Sequence, residues 1–383
     1  MISPYTLPVL ALTVFFTGVT EFMVSPMLTP LAAAFDVTPA QASWLIAAYT
    51  LSYAVAAPVL GRLSDRVSRD RMLRTALLLF VADGIALATA PCFSVAVGLR
   101  ILGGLASAAL IPSVFALIAE QFPPDRQASA MGFVMTGMTA GIISGPAIAG
   151  WLTSGIGWYA PFLLTAAGSL IMWIACCFLL PGISRVSAQP VASLPRKDYS
   201  PALLGLITAK GLWNGTAVVL FVLSGEWLRH RFGLNTETIG LISIIFGGGL
   251  LTGNILLPFF RRLSATDTRL LLISLTVMSV MIAGFISGAG GLTGMMLWML
   301  LQGCALGIAA PVSTAIIAEQ AGTRKGEALA LSESLNNLSI FILLPVTAAH
   351  QNSQMLLPAV TALLCCATAL TGYILSPIYC KKQ

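Results

Sequence analysis

Five charged side chains fall inside long apolar runs of the 383-residue chain: Glu21, Asp83, Arg100, Lys210 and Glu333. Placing a charge in the middle of a membrane-spanning helix costs about 2.5–3.5 kcal/mol on insertion scales, so such residues are functional candidates by default. A carboxylate in apolar surroundings can take up and release a proton, and a nearby guanidinium tunes that exchange by its fixed positive charge. Glu21, Asp83 and Arg100 form one possible group; Lys210 and Glu333, with Asn214, Asn336 and Asn337 close in sequence, form another. The plainer reading of each set is a structural ion pair, of Arg100 with Glu21 or Asp83 and of Lys210 with Glu333, or a lysine reaching toward the membrane surface.

The elements that must hold these residues are legible from composition. Hydrophobic residues make up 57% of the chain and charged residues 9%, against roughly 25% charge in a soluble domain. The apolar residues come in uninterrupted runs near the length that spans about 30 Å as a helix, not in the alternating bursts of a β-barrel. The reading is an all-α membrane protein of 12 transmembrane helices, at about 5–28, 42–61, 73–91, 94–118, 128–152, 158–180, 202–225, 238–260, 268–288, 292–317, 327–349 and 354–378. The first run has no basic preface or cleavage site, so it is expected to be retained as a span. Glu226, Arg229, His230, Arg231 and Glu237 fall between the seventh and eighth runs and are expected in a solvated loop. The cysteines Cys92, Cys176, Cys177, Cys304, Cys365, Cys366 and Cys380 have neither CxxC spacing nor a histidine close by, so they read as small apolar residues, with no metal site.

Sixteen of the 20 basic residues lie after even-numbered spans or in the C-terminal tail, which places both termini in the cytoplasm. The net charge of +6 therefore reflects sidedness and not a nucleic-acid partner. With that topology Glu21, Asp83 and Arg100 share a depth of roughly 9–12 Å below the outer face. Residues 182–200 are rich in Ser, Pro and charge and read as a cytoplasmic linker between an N-terminal six-helix bundle, 1–181, and a C-terminal one, 201–383. The halves are related. GLASAALIPSVFALIAEQ from Gly104 aligns without a gap to GCALGIAAPVSTAIIAEQ from Gly303 at an offset of 199, matching Pro112 to Pro311 and Glu120 to Glu319, and further on Pro146 to Pro345. A parallel repeat of six helices about an axis along the membrane normal is a transporter signature.

Three stretches of the first half carry more specific patterns. GRLSDRVSRDRML, from Gly61, combines a glycine that allows close approach with Asp65, able to cap a turn and pair with an arginine, and a set of cations. RILGGLASA begins at Arg100, and GMTAGIISGPAIAG places Gly137, Gly141, Gly145, Pro146 and Gly150 as a smooth stripe beside a helix-bending proline. These resemble, in order, the loop motif, the fourth-span motif and the antiporter motif of the major facilitator superfamily, in its 12-span drug/proton antiporter branch. Gly61, Leu63, Asp65, Arg66 and Arg69 are on pattern in the first, while Ser68 and Asp70 depart from it, and Gly103 replaces a usually polar residue in the second. Glu21, in GVTEFMVSPML, resembles the first-span carboxylate of several such antiporters and the start of the sugar and metabolite efflux branch.

The resemblance implies two pseudo-symmetric six-helix bundles and proton coupling through Glu21, Asp83 and Arg100. It also implies a conformational latch in the loop, a hinge in the fifth span, and a cavity to which Phe16, Met23, Lys210, Trp213, Asn214, Glu333 and Asn337 are candidates. Two functions stay open: proton-coupled export of small, largely apolar compounds by alternating access, and export of polar metabolites such as sugars, nucleosides or amino acids. No cofactor is expected beyond the proton gradient, and no enzymatic activity, since HExxH, GxSxG and GxxxxGK[ST] strings are missing. The expected setting is a monomer in the bacterial inner membrane, whose partners are lipid, protons and a small-molecule substrate.

Overall fold

A computed structural model describes residues 5–63, 68–179, 199–264, 266–351, 353 and 355–380. The described residues are helical almost throughout. Twelve long helices follow one another: α1 (Thr6–Ala34), α2 (Trp44–Leu63), α3 (Arg69–Ala88), α4 (Phe93–Gln121), α5 (Pro124–Gly155), α6 (Ala160–Leu179), α7 (Pro201–Phe232), α8 (Thr236–Leu263), α9 (Asp267–Ser287), α10 (Gly291–Ala321), α11 (Lys325–Ala349) and α12 (Leu356–Cys380). Eleven are apolar enough by composition alone to cross a membrane; α3 is equally long but carries Asp70, Arg71, Arg74 and Asp83 within 20 residues. The chain is a multi-pass membrane protein, and its outward faces agree: Phe178, Ile255 and Phe259 stand exposed, as lipid-facing side chains do.

Local chemistry explains where the helices begin and end. A capping box of Thr38 and Gln41 opens the turn before α2, the Ser200 hydroxyl accepts from Leu203 N–H with Pro201 at the first position of α7, and Thr266 accepts from Arg269 N–H at the start of α9. Gly233 and Gly288 close α7 and α9 in the left-handed region, where a side chain would be strained. Pro58, Pro112, Pro146, Pro258, Pro311 and Pro345 lie inside helices that continue past them. Threonines return their hydroxyls to the carbonyl one turn back, as Thr13 to Val9, Thr17 to Thr13 and Thr20 to Phe16, so that α1 carries polar side chains without leaving them unmatched in an apolar setting.

Two helices differ from the sequence expectation. α1 runs on to Ala34 through a 3₁₀ step at Ser25–Met27, where Pro26 cannot donate the usual hydrogen bond. α7 is 32 residues long, so Glu226, Arg229 and Arg231 belong to its last turns and not to a solvated loop. Glu226 is only 7% exposed and pairs with Arg229 at 3.6 Å, while Arg231 donates to the Ile286 carbonyl at 2.7 Å. Cations in a final helical turn are favoured by the helix dipole, which is what a hydropathy window cannot register.

The chain divides into two compact units, one of Met1–Pro195 with Thr236–Gly240, the other of Arg196–Asn235 with Leu241–Gln383. The linker expected at 182–200 lies outside the described residues except for Tyr199 and Ser200. In the first unit α4 packs on α2 and α3, α1 on α5, and α3 on α6. Its core is aliphatic, with Leu10, Val14, Leu73, Leu77, Leu110, Val114 and Leu117 buried together. The second unit repeats the plan: α7 packs on α11 and α12, and α9 on α10. The repeat extends to backbone contacts. A Cβ on Gly104 of α4 would stand 2.8 Å from Ser52 Cβ on α2, and one on Gly303 of α10 would stand 3.0 Å from Leu250 N on α8. Glycine at these matched positions allows the close approach that any side chain would prevent.

Candidate functional site

Asp83 and Arg100 meet. The Arg100 Nη1 lies 3.2 Å from Asp83 Oδ2, and their side chains are 1% and 2% exposed for Arg100 and Asp83. Three neighbouring helices build the site. α3 supplies the carboxylate; α4 supplies the guanidinium; α2 supplies the Leu45 carbonyl, which accepts from Arg100 Nε at 3.2 Å, and the Tyr49 ring, whose centroid is 4.6 Å from the guanidinium carbon. Gly103 makes room for this assembly, because a Cβ there would stand 2.7 Å from Asp83 Oδ2 and 3.2 Å from the Tyr49 ring. The departure at Gly103 thus has a steric reason. Ion pair, backbone acceptor and aromatic face together offset the cost of burying a guanidinium.

Glu21 sits half-buried on α1, within electrostatic range of Tyr49. Asp83 is the direct partner of Arg100. Sequence reasoning missed Tyr49, since an aromatic residue in an apolar helix looks like ordinary core. It also missed Ser107, two turns beyond Arg100 on α4, and Ser52, which donates to the Ile101 carbonyl at 2.8 Å.

The glycine stripe of α5 is spent on packing. Cβ atoms on Gly137 and Gly141 would collide with the Ala11 and Phe15 carbonyls of α1, and one on Gly145 would stand 3.0 Å from Val19 Cα, two residues before Glu21. Gly18 completes the seam, with its missing Cβ 2.7 Å from the Met138 carbonyl. Further along, Gly150 lies beside Thr236 and Gly240 within the first unit, and Pro146 presents its carbonyl to Gly240. Of the loop motif, Gly61 lies in the last turn of α2, and Asp65 and Arg66 lie outside the described residues. Arg69 pairs with Glu120 at 3.1 Å and donates to the Ala116 carbonyl at 3.2 Å, both near the end of α4. Asp70, the departure from pattern, is buried and paired with Arg74 one turn on.

In the second unit Lys210 Nζ on α7 lies 3.6 Å from Glu333 Oε1 on α11 and donates to Thr314 Oγ1 on α10 at 2.9 Å. Lys210 is 2% exposed at its side chain and Glu333 46%. One turn on, Asn214 donates to Asn336 at 3.0 Å, and Asn337 donates to the Glu333 carbonyl at 3.0 Å. The aromatic and sulfur candidates are packed away: Met23 and Trp213 are buried, and the Phe16 ring lies over Gly168 of α6, so these three do not share the open surface that Glu333 has.

Residues 10–343 match the Major Facilitator Superfamily. The chain belongs to this superfamily. Its members are membrane transporters, not enzymes. A related MFS-type transporter, YceJ of Bacillus subtilis, is 28% identical over 246 residues, which is 63% of either chain. The chain thus spans just under two thirds of that relative's length. Quinolone resistance protein NorA of Staphylococcus aureus is 24% identical over 330 residues, 84% of this chain and 83% of that one. The fold matches the xylose transporter XylE of Escherichia coli in its inward-open conformation, with a TM-score of 0.77 at 16% identity over 96% of this chain and 94% of that one. At that identity the likeness to XylE concerns the fold alone.

Proposed function

We propose that this major facilitator protein is a proton-coupled exporter of small, largely apolar compounds, working by alternating access as a drug/proton antiporter. The observation that carries the reading is the Asp83–Arg100 pair, closed off from solvent within the helical bundle, at a site where the charge of Glu21 is also felt through Tyr49. A structural pair needs one carboxylate, and here a second acts electrostatically on the same site. Glu21, with Asp83, would release a proton inward and regain one from outside, and Arg100 would stabilise the carboxylate form. A proton crossing a potential of 100 mV releases about 2.3 kcal/mol, so a gradient suffices as the energy source. The name of NorA, a quinolone resistance protein, supports an apolar or amphipathic drug as cargo. The protein would reside as a monomer in the bacterial inner membrane with both termini in the cytoplasm. Gly61, Asp65, Arg66 and Arg69 would act as the latch, and Gly137, Gly141, Gly145, Pro146 and Gly150 as the hinge.

A second reading, export of polar metabolites, is favoured by one cluster. Lys210, Glu333, Asn214, Asn336 and Asn337 supply the hydrogen-bonding groups that a sugar, nucleoside or amino acid needs.

Everted membrane vesicles holding an inward-acid pH gradient test both. Quinolones that collapse the gradient in the wild type and not in Glu21→Gln would support drug/proton antiport. Collapse by sugars or nucleosides only would move the substrate to polar metabolites. Wild-type export by Glu21→Gln would remove Glu21 from the mechanism.

A further inference from the structure

The Asp83–Arg100 site contains polar atoms that its protein contacts do not satisfy. Asp83 Oδ1, Arg100 Nη2, Tyr49 Oη and Ser107 Oγ are all buried, and none meets a protein hydrogen-bond partner. Tyr49 is 1% exposed and Ser107 fully buried. Buried polar atoms of native proteins are hydrogen-bonded with few exceptions, so four together at one site call for an explanation.

They lie along the face of α4 that runs from Arg100 to Ser107, on that helix or beside it. The Tyr49 ring lies along α4, with the Arg100 guanidinium 4.6 Å from its centroid and the position of a Gly103 Cβ 3.2 Å from one ring carbon. Its hydroxyl comes near Ser107, seven residues and two turns beyond Arg100 on the same face, without reaching hydrogen-bond geometry. Arg100 on α4 faces the Tyr49 ring and Asp83 on α3 faces Arg100, while the charge of Glu21 on α1 acts on Tyr49 from a distance.

The four atoms are chemically complementary. Arg100 Nη2 is only a donor, the Asp83 oxygen only an acceptor while ionised, and each hydroxyl can be both. A water needs two to four such partners. An anion would be repelled by Asp83, and a cation by Arg100; water satisfies both.

We propose that Tyr49 and Ser107 hold bound water beside the Asp83–Arg100 pair and that this hydrated link, through the Tyr49 hydroxyl, carries protons to and from Asp83. The Tyr49 hydroxyl gives its proton to the neighbour on one side as it accepts one from the other. No tyrosinate accumulates and no bond other than O–H is broken. Tyr49 and Ser107 are positioning and relay residues, and the proposal rests on proton coupling as the protein's function.

Two measurements test it separately. Radiolysis of bound water oxidises side chains beside it, so radiolytic labelling of the full chain in detergent should oxidise Tyr49 faster than Trp213, which is equally buried at 1% and intrinsically more reactive. Oxidation of Tyr49 slower than that of Trp213 would overturn the hydrated site. In proteoliposomes, Tyr49→Phe should lower quinolone accumulation driven by a pH gradient about a hundredfold, the lower range of a lost proton-transfer group, while quinolone self-exchange at equal pH is unchanged. Ser107→Ala should act in the same direction. Gradient-driven accumulation at the wild-type rate in Tyr49→Phe would overturn the relay. A wild type without gradient-driven accumulation of any solute would overturn the proposed function and the relay with it, while the labelling still decides whether the site holds water.

Discussion

α1 with α5 in the first unit and α7 with α11 in the second are the same helix pair of the repeat, and they are built in opposite ways. On α5, Gly137, Gly141 and Gly145 admit the backbone of α1, and the residues of α1 they receive, Ala11, Phe15 and Val19, carry no charge. At the 199 offset Ala11 becomes Lys210 and Gly137 becomes Asn336. The seam is kept close there by glycines on the other helix, Gly211 against Leu335 and Gly215 against Ser339. The α7–α11 seam therefore has room for side chains to bridge it, and Lys210–Glu333 and Asn214–Asn336 do so.

The charges of the two units are distributed accordingly. Asp83 and Arg100 on α3 and α4 correspond to Ile282 and Met299, both buried and apolar, while Glu333 corresponds to Val134. Each unit thus carries an ion pair deep in its helices, on a different helix pair. The first is sealed on both sides, and the second is open at its carboxylate. A sealed pair is costly to break, because the partner left behind is a buried charge; an open carboxylate can find water or a ligand instead.

That contrast predicts a ranking of effects. Arg100→Met should be the most damaging change, destabilising the protein by about 3–5 kcal/mol through an unpaired Asp83, as read by thermal unfolding in detergent. Arg100→Met combined with Asp83→Asn should recover most of that loss; a double variant no better than the single one would show that Asp83 is not what Arg100 neutralises. Gly141→Val tests the seam, with an expected cost of about 1–3 kcal/mol or more from overpacking against the Phe15 carbonyl, whereas the matched Ile340→Val should cost about 0.5–1.5 kcal/mol. Glu333→Gln should cost less than about 1 kcal/mol, because its carboxylate is half-exposed, and should change transport more than stability. Equal destabilisation by Glu333→Gln and Arg100→Met would erase the distinction between sealed and open pairs. The exposed Arg261–Asp267 pair, 2.9 Å apart and 40% exposed on both sides, sets the floor: Asp267→Asn should shift stability by about 0–1 kcal/mol and leave transport unchanged.

Much of this was legible beforehand, in a graded way. Helix existence followed from run length, and depth from counting residues at a fixed rise, which put Asp83 and Arg100 at one level, where they meet. Azimuth was not legible. Which carboxylate faces Arg100 depends on how α1 and α3 are rotated about their axes, and in a helix buried on nearly every side hydropathy has no polar face to report that rotation. The same ambiguity hid Tyr49, whose hydroxyl is one polar atom on an apolar ring, and the burial of Met23 and Trp213. Glu120 was in view only as a repeat position matched to Glu319, and its pairing with Arg69 needed the end of α4 to be brought beside the start of α3.

By itself the sequence determined that the chain is a twelve-span helical membrane protein with a repeat, because hydrophobic length and glycine and proline spacing are one-dimensional quantities imposed by the bilayer and the backbone. Only the tertiary structure decided that Arg100 takes Asp83, that Glu226 is buried, that Gly137, Gly141 and Gly145 of α5 serve α1, and that four buried polar atoms along α4 and beside it are left without protein partners. Those facts depend on the relative rotation and approach of helices, set by side-chain packing across many residues far apart in the chain, for which no local pattern is a substitute.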